Sequence, residues 1–150
     1  SGVAARLAAS RKLKFVMRQS ADLFNRDPKE AFVFLQEHQL LQSSNDPVEV
    51  ARYLRRTTGL DKRAVGDLIS KPSNVEILKA YFADFKLKGL EIDEALRSVL
   101  ESFRLPGEAQ QISRVMEVFA QVYMRDANQK GTFANEDAVY VLAYSIVMLN

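Results

Sequence analysis

The sequence contains no cysteine and only one histidine, and these two absences remove several kinds of chemistry. Without cysteine there is no disulfide, no thiolate nucleophile and no thiolate metal site. With one histidine there is no His pair for a metal ion. No segment resembles a glycine-rich phosphate loop or a serine in a nucleophile elbow. We therefore expect no covalent enzyme chemistry, no cofactor and no metal site.

An excess of one charge is also missing. The 21 Lys and Arg residues nearly balance the 19 Asp and Glu residues, which leaves a formal net charge of +2. A dedicated nucleic-acid binder carries a larger basic excess, so we expect no nucleic-acid partner. The balance shifts along the chain, since residues 1–75 hold 13 basic and 8 acidic side chains and residues 76–150 hold 8 and 11. The second half therefore offers the more acidic surface.

Long hydrophobic runs are absent too, although 47% of the 150 residues are hydrophobic. No run approaches the roughly 20 residues that cross a bilayer, and the start lacks a signal-peptide pattern, so we expect a soluble, cytoplasmic protein. The apolar residues recur at helical spacing, and no segment alternates as a half-buried strand does. The pattern predicts an all-α fold, a right-handed superhelix or orthogonal array of about seven or eight short helices. We place this domain at residues 12–150, after a flexible lead-in at residues 1–11.

Short polar residues mark where most of these helices begin. Asp27 and Asp46 each precede a proline, which combines a capping carboxylate with the residue best suited to the first helical position. Asp61, Asp93 and Asn135 stand before other apolar-periodic segments and are predicted to cap them. The first helix is expected to begin near Lys12.

The loop before the seventh predicted helix is unusual, because residues 103–112 read FRLPGEAQQI. Pro106 keeps Leu105 extended, and Gly107 permits backbone angles denied to other residues. Glu108 then projects from the start of a helix, where the helix dipole favours its charged form by about 0.3–1 kcal/mol. Such a residue is either an ordinary helix-start glutamate or a fixed negative charge presented to a partner.

The last predicted helix is apolar nearly all the way round. Residues 138–149 read AVYVLAYSIVML, without the polar face that a surface helix carries. A helix of this kind is either buried on both sides in a longer domain or binds a partner. We expect a chain that ends here to self-associate or to pair this helix with another chain.

With both segments described, the chain resembles the Sec-seven domain, written Sec7, of the guanine nucleotide exchange factors for Arf GTPases. Residues 103–110 (FRLPGEAQ) are similar to the family's first signature, and residues 137–150 (DAVYVLAYSIVMLN) to the opening of its second. Residues 24–29 (FNRDPK) and 65–67 (VGD) also match family motifs. The similarity covers residues 12–150 and is greatest to the large Golgi branch. In the family the second signature continues into further helices, so the resemblance implies a domain cut before its last helices.

The resemblance implies an all-α superhelix with an apolar groove that receives the switch regions of GDP-bound Arf. It implies exchange of GDP for GTP on a protein substrate, without covalent chemistry and without a cofactor. It further implies a cytoplasmic protein that is peripheral on the Golgi or related endomembranes. Membrane association is expected through regions outside this chain, because Lys12, Lys14 and Arg18 form too small a basic cluster to anchor it alone.

The resemblance also implies roles for individual residues. Glu108 matches the glutamate finger, a carboxylate that enters the nucleotide site and expels GDP and Mg²⁺. Tyr144 and Ser145 match a Tyr-Ser pair associated with sensitivity to brefeldin A, which wedges between exchange factor and Arf·GDP. Arg104 matches a polar contact or a brace of the loop. Residues that match the wall or floor of the groove are Phe103, Leu105, Ile112, Met116, Tyr140, Ala143, Tyr144 and Ile146.

A second interpretation stays open. The chain can be a helical protein-interaction module, or an inactive domain, that binds a partner helix through its exposed apolar surface. Charge reversal at Glu108 separates the two interpretations, since a scaffold tolerates it and an exchange factor loses turnover. A membrane-surface helix protein is a third interpretation, supported only by the basic first helix.

Overall fold

A computed structural model gives the fold and describes residues 2–128 and 130–149. Over these residues the chain is helical, with eight α-helices, one short 3₁₀ helix at Pro72–Asn74 and no strand, which confirms the all-α prediction. Ser1 and Asn150, which bound the predicted lead-in and domain, lie outside the described residues. The helices are α1 Gly2–Arg26, α2 Pro28–Glu37, α3 Pro47–Arg56, α4 Lys62–Ile69, α5 Val75–Ala83, α6 Ile92–Leu100, α7 Ala109–Asp126 and α8 Glu136–Leu149.

The predicted aspartate caps account for three helix starts. The Asp27 carboxylate accepts a hydrogen bond from the Lys29 amide at 3.0 Å, and Asp46 accepts one from Val48 at the same distance. Asp61 accepts one from Arg63 at 2.8 Å. Each carboxylate thus satisfies an amide that has no partner within its helix. Asn135 does the same for α8, since its Oδ1 accepts from the Ala138 amide at 3.0 Å.

Two predicted helix starts are wrong. The first helix begins at Gly2 rather than near Lys12, so residues 2–11 of the predicted lead-in are helical. Every side chain of residues 2–11 is exposed and the first turn holds no acidic residue, so the signals that mark the start of an amphipathic helix are weak here. The cap of α6 is Glu91, which forms a capping box with Glu94, and Asp93 lies within the first turn. Because three acidic residues lie within four positions, the sequence pattern did not show which of them caps the helix.

Aromatic side chains of α5 and α7 form the centre of the core. Phe82 and Phe119 are fully buried, with their ring centroids 6.5 Å apart in an edge-to-face arrangement. Helix α5 packs on α3 and on α7, and α7 packs along α8, so α5 and α7 link the two halves of the chain. None of the helices in residues 2–128 and 130–149 is both long and apolar enough to cross a bilayer.

Candidate functional site

Glu108 stands at the N-terminus of α7 with its side chain exposed. Its backbone carbonyl accepts the first hydrogen bond of the helix, from the Ile112 amide at 3.0 Å, while its carboxylate makes no capping bond. The side chain is therefore not needed to start α7. A carboxylate in this position is free to act on something outside the chain.

The loop before Glu108 lies directly on α4. Gly66 has no side chain at the point where the Arg104 carbonyl approaches, and a Cβ there would overlap that oxygen. The Arg104 amide also donates to the Lys62 carbonyl at 3.0 Å, so both polar backbone groups of Arg104 face α4. Arg104 thus braces the loop through its backbone, whereas its side chain is exposed.

Phe103 anchors the same loop in the core. Its side chain is 2% exposed, and its ring lies 6.0 Å from Tyr81 and 6.1 Å from Phe82, centroid to centroid. Burial raises the pKa of the Tyr81 hydroxyl, which donates to Ser102 at 2.8 Å. Buried aromatic contacts therefore hold Phe103, and the Tyr81 ring beneath it also lies 5.6 Å from the Arg55 guanidinium. Phe103 supports the surface from below and offers no area to a partner.

Helix α4 also holds the segment that follows Glu108. Arg114, on the second turn of α7, donates from its guanidinium to the Ser70 carbonyl at the end of α4, at 2.7 Å. The Arg104 backbone before Glu108 and the Arg114 side chain after it are thus tied to one helix of eight residues. These two contacts fix the position of the N-terminus of α7, from which the Glu108 side chain extends. The sequence pattern did not predict them.

Helix α8 contacts α7 close to this point. The Tyr140 hydroxyl lies 2.9 Å from the Ser113 hydroxyl, and Ser113 follows Glu108 by about 7.5 Å along the helix axis. The Tyr144 ring lies 5.8 Å from the Tyr140 ring, and both tyrosines are half-buried. These two rings form a ridge on α8 beside the first turns of α7, and we name it the tyrosine ridge.

The other predicted groove residues divide into three groups. Met116 and Ala143 have no exposed surface and Ile112 has 8%, so they lie beneath the surface, as a floor. Leu105 is half-buried against the core. Ile146 faces a different place, a cavity of about 520 Å³ between α6 and α8 that Val147, Leu96 and Leu100 also line. Among the predicted groove residues, Tyr140 and Tyr144 thus form the tyrosine ridge, and Ile146 lines the α6–α8 cavity.

Ser145 and Tyr144 are adjacent on α8 and project about 100° apart. The Ser145 hydroxyl donates to the Val141 carbonyl in the preceding turn, at 2.7 Å. Tyr144 instead lies against Tyr140, so the pair straddles one edge of α8. Both side chains are half-buried and partly open to solvent.

The expectation for Gly107 is wrong. Positive φ angles occur at Gly59, Gly89 and Gly131 but not at Gly107, and a Cβ on Gly107 would meet nothing within 4 Å. The glycine that the loop needs is Gly66, on α4. Glycine is required at position 66 because the Arg104 backbone, about forty residues further along the chain, approaches it closely. Local turn chemistry does not predict such a contact. The signal available in the sequence was the VGD motif at residues 65–67.

No group of three or more His, Asp or Glu side chains in the described part of the chain could hold a metal ion. The functional geometry is one exposed carboxylate at a braced helix start, with the tyrosine ridge on the neighbouring helix α8. The α6–α8 cavity combines apolar lining residues with the charged side chains of Asp93, Arg97 and Glu101. A comparison with family models matches residues 13–150 to the Sec7 domain. The chain belongs to the Sec7 domain family.

Relatives and solved structures agree with this assignment. The chain is 43% identical over 145 residues to the ARF guanine-nucleotide exchange factor GNOM of Arabidopsis thaliana. The aligned region covers 93% of this chain and 10% of GNOM. The structure of the Sec7p catalytic domain superposes with a TM-score of 0.82 at 39% identity, covering 88% of this chain and 72% of that one. A Sec7 domain bound to ARF1-GDP and brefeldin A gives 0.81 at 36%, with coverages of 97% and 72%. This Sec7 chain spans about a tenth of the length of GNOM.

Proposed function

We propose that this Sec7 chain promotes release of GDP from an Arf-type GTPase and that Glu108 supplies the charge that does so. The observation that carries the proposal is the exposed Glu108 carboxylate, which makes no capping bond. It extends from the N-terminus of α7, and contacts with α4 hold the chain both before and after Glu108. Similarity to GNOM, named as an Arf exchange factor, and to a Sec7 domain in complex with ARF1-GDP supports the choice of partner.

Electrostatics explains why one carboxylate is effective. A GTPase holds its nucleotide through backbone amides, a lysine and Mg²⁺ around the phosphates. A second anion in that site repels the phosphates and competes for the lysine. One unit charge at about 4 Å, with an effective dielectric near 20, changes the energy by about 4 kcal/mol. This energy corresponds to roughly a thousandfold in nucleotide affinity.

The Glu108 carboxylate must first be brought close to the nucleotide, and we expect the surfaces of α8 to bind the GTPase in a way that does so. The tyrosine ridge and the α6–α8 cavity present half-buried apolar side chains that a partner's switch segment can cover. Binding that favours an otherwise rare switch conformation would open the nucleotide site. The ridge, the cavity and the finger would then act together, with binding energy used to position the carboxylate.

The proposal is tested by the release of a fluorescent GDP analogue from purified Arf. Glu108→Gln should slow release severely, and Glu108→Lys should abolish it, because the first removes the charge and the second reverses it. Glu117→Lys is the matched control, since Glu117 is also exposed on α7 and the charge change is identical. Near-normal release by Glu108→Lys, or an equal loss in Glu117→Lys, would refute the role of the finger.

The alternative function is a helical interaction module that binds a partner without catalysis. The exposed apolar residues of α8 favour it, because they can hold a partner helix and need no charge. Under this alternative Glu108→Lys leaves partner binding intact and no variant changes nucleotide release. Measuring Arf binding and GDP release on the same variants separates the two functions.

Brefeldin A tests the contribution of α8 separately from the finger. Tyr144 and Ser145 match the pair associated with the drug, and both are accessible at one edge of α8. Brefeldin A should bind the complex of the Sec7 chain with Arf·GDP and not the Sec7 chain alone. Tyr144→Phe combined with Ser145→Ala should weaken inhibition of exchange while preserving exchange itself. Full sensitivity in the double variant would remove this pair from the proposed site. The Golgi location implied by the resemblance stays a prediction.

A further inference from the structure

The first helix extends well beyond the body of the molecule. Helix α1 has 25 residues and is about 38 Å long. Its buried residues are Val16, Ser20, Ala21 and Phe24, and all of residues 2–15 are exposed. The second half of the helix therefore packs on the body of the molecule. The side chains of the first half are exposed, with Ala9, Lys12 and Leu13 lining a cavity against the end of α2.

The charged residues in the first twenty positions of this helix are all basic. Residues 2–21 include Arg6, Arg11, Lys12, Lys14 and Arg18 but no acidic residue, since Asp22 is the first acid of the chain. All five basic side chains are exposed. None of them takes part in an ion pair within the described residues. The positive charge is thus left for something outside the chain.

Apolar side chains stand among these charges on the face turned away from the core. Leu7, Arg11, Lys14, Phe15 and Arg18 follow one another at the spacing of a single helix face, opposite Val16 and Ser20. We name these five residues the α1 outer face. Its apolar members are unusually open, with Leu7 54% and Phe15 59% exposed. Basic and apolar residues interleaved on one face are typical of a helix that lies in a membrane interface.

We propose that the α1 outer face binds the surface of an anionic phospholipid bilayer. Leu7 and Phe15 would enter the boundary between headgroups and acyl chains, and Arg11, Lys14 and Arg18 would reach the headgroups with their long stems. A bilayer fits better than an acidic protein because charge attraction alone needs no apolar residues, whereas exposed Leu7 and Phe15 stand among the basic residues, as they do in an interfacial helix. The cavity that α1 does line, of about 380 Å³, lies on its other side against the end of α2 and includes Leu13, Val16 and His38.

The structure also changes which basic residues act together. The sequence pattern grouped Lys12 with Lys14 and Arg18, whereas in the structure Lys12 lines the cavity against α2 and Arg11 joins Lys14 and Arg18 on the α1 outer face. Each basic residue near an anionic surface contributes roughly fivefold to the partition coefficient. Binding should therefore be weak but measurable. It should decline as salt screens charges beyond about 8 Å at physiological ionic strength.

The experiment is co-sedimentation of the chain with sucrose-loaded vesicles, either of phosphatidylcholine alone or of phosphatidylcholine with phosphatidylserine. We expect binding only with phosphatidylserine. Arg11→Glu/Lys14→Glu/Arg18→Glu should reduce it about a hundredfold or more, by roughly fivefold at each position. The matched control is Lys29→Glu/Arg63→Glu/Lys71→Glu, which makes the same charge change at exposed positions elsewhere and should retain most of the binding.

Phe15 separates insertion from simple charge attraction. Phe15→Ser keeps every charge and should still reduce vesicle binding about tenfold, because the apolar contact is lost. The chain has no tryptophan, so Phe15→Trp provides a single reporter whose emission should shift to the blue on phosphatidylserine vesicles.

Four results would overturn the proposal: no binding to phosphatidylserine vesicles, equal binding to phosphatidylcholine, an equal loss in the control triple variant, or no effect of Phe15→Ser. The last result would indicate a purely ionic surface, as an acidic protein partner requires. The assay contains no GTPase, so its outcome is independent of the proposed exchange activity.

Discussion

Helices α7 and α8 are neighbours in sequence and in space, yet they are buried to very different extents. Eight residues of α7 are buried, from Ile112 to Tyr123. Only Val139 and Ala143 are buried in α8, although α8 carries no charged residue after Asp137. The more apolar helix is therefore the less buried one.

The difference shows how hydrophobicity relates to function in this molecule. The apolar residues of α7 are accounted for by the core that they form with α5. Those of α8 are not, since Val141 is 60% exposed, Met148 55% and Leu149 86%. Exposed apolar surface of this kind is typical of a site that contacts another molecule. The core thus holds α7, which begins directly after Glu108, whereas α8 beside it keeps apolar side chains exposed.

The largest expected effect tests this contrast directly. Phe119→Ala should lower the free energy of unfolding by about 3–5 kcal/mol, because it empties the centre of the core. Val141→Ala, on the exposed side of α8, should change it by less than about 0.5 kcal/mol. Urea denaturation at low protein concentration gives both values. Similar losses in the two variants would mean that α8 is as well packed as α7.

A second comparison concerns the two glycines around the Glu108 loop. Gly66→Ala places a methyl group against the Arg104 backbone, so the loop must shift. A displacement of about 1 Å at a reacting group can cost about a hundredfold in rate, and we expect exchange to fall by up to that factor. Gly107→Ala meets no atom within 4 Å and should fold normally.

Exchange kinetics over a range of Arf concentrations distinguish positioning from binding. Gly66→Ala should lower kcat more than it raises KM, because the carboxylate is misplaced after the partner has bound. Equal exchange by Gly66→Ala and the unmodified chain would show that the contact with α4 does not position Glu108. A drop confined to KM would assign Gly66 to the binding surface.

A smaller effect should follow from the exposed side of α8. Val141 and Met148 are two turns apart on one face, so we expect this chain to self-associate through them. Val141→Ser/Met148→Ser should weaken the association about tenfold or more, given the cost of losing two apolar contacts. Val33→Ser/Val48→Ser is the control, because each of these valines is 54% exposed on another helix. A monomer at high concentration in sedimentation equilibrium would contradict the expectation.

The parts of the fold that the sequence predicted are those that depend on local chemistry. Asp27, Asp46 and Asp61 cap helices within two residues of themselves, so their roles follow from neighbouring amides. The exposed position of Glu108 at the start of α7 was likewise predictable from residues 105–108. Such features need no knowledge of the remaining chain.

The parts that the sequence did not predict depend on contacts between distant segments. The close approach of Gly66 to Arg104 joins residues far apart in sequence, and so does the bond from Arg114 to Ser70. The separation of Ile146 from the tyrosine ridge depends on how α8 crosses α6 and α7. The first ten helical residues of α1 were missed because none of them is buried and the first turn holds no acidic residue.

The smallest expected effect tests the link between α7 and α8 at the tyrosine ridge. Tyr140→Phe removes the 2.9 Å hydrogen bond to Ser113 and keeps the ring, so it should lower the free energy of unfolding by about 0.5–1.5 kcal/mol. Ser113→Ala should cost a similar amount, and the double variant should cost little more than either, because both changes remove one bond. Tyr144→Phe is the control, because Tyr144 contacts Tyr140 through its ring, which phenylalanine keeps. This variant should change the free energy of unfolding by less than about 0.5 kcal/mol. Additive losses in the double variant would show that the two hydroxyls contribute independently, and α8 would then be held on α7 by apolar packing, with Val139 and Ala143 buried at its centre.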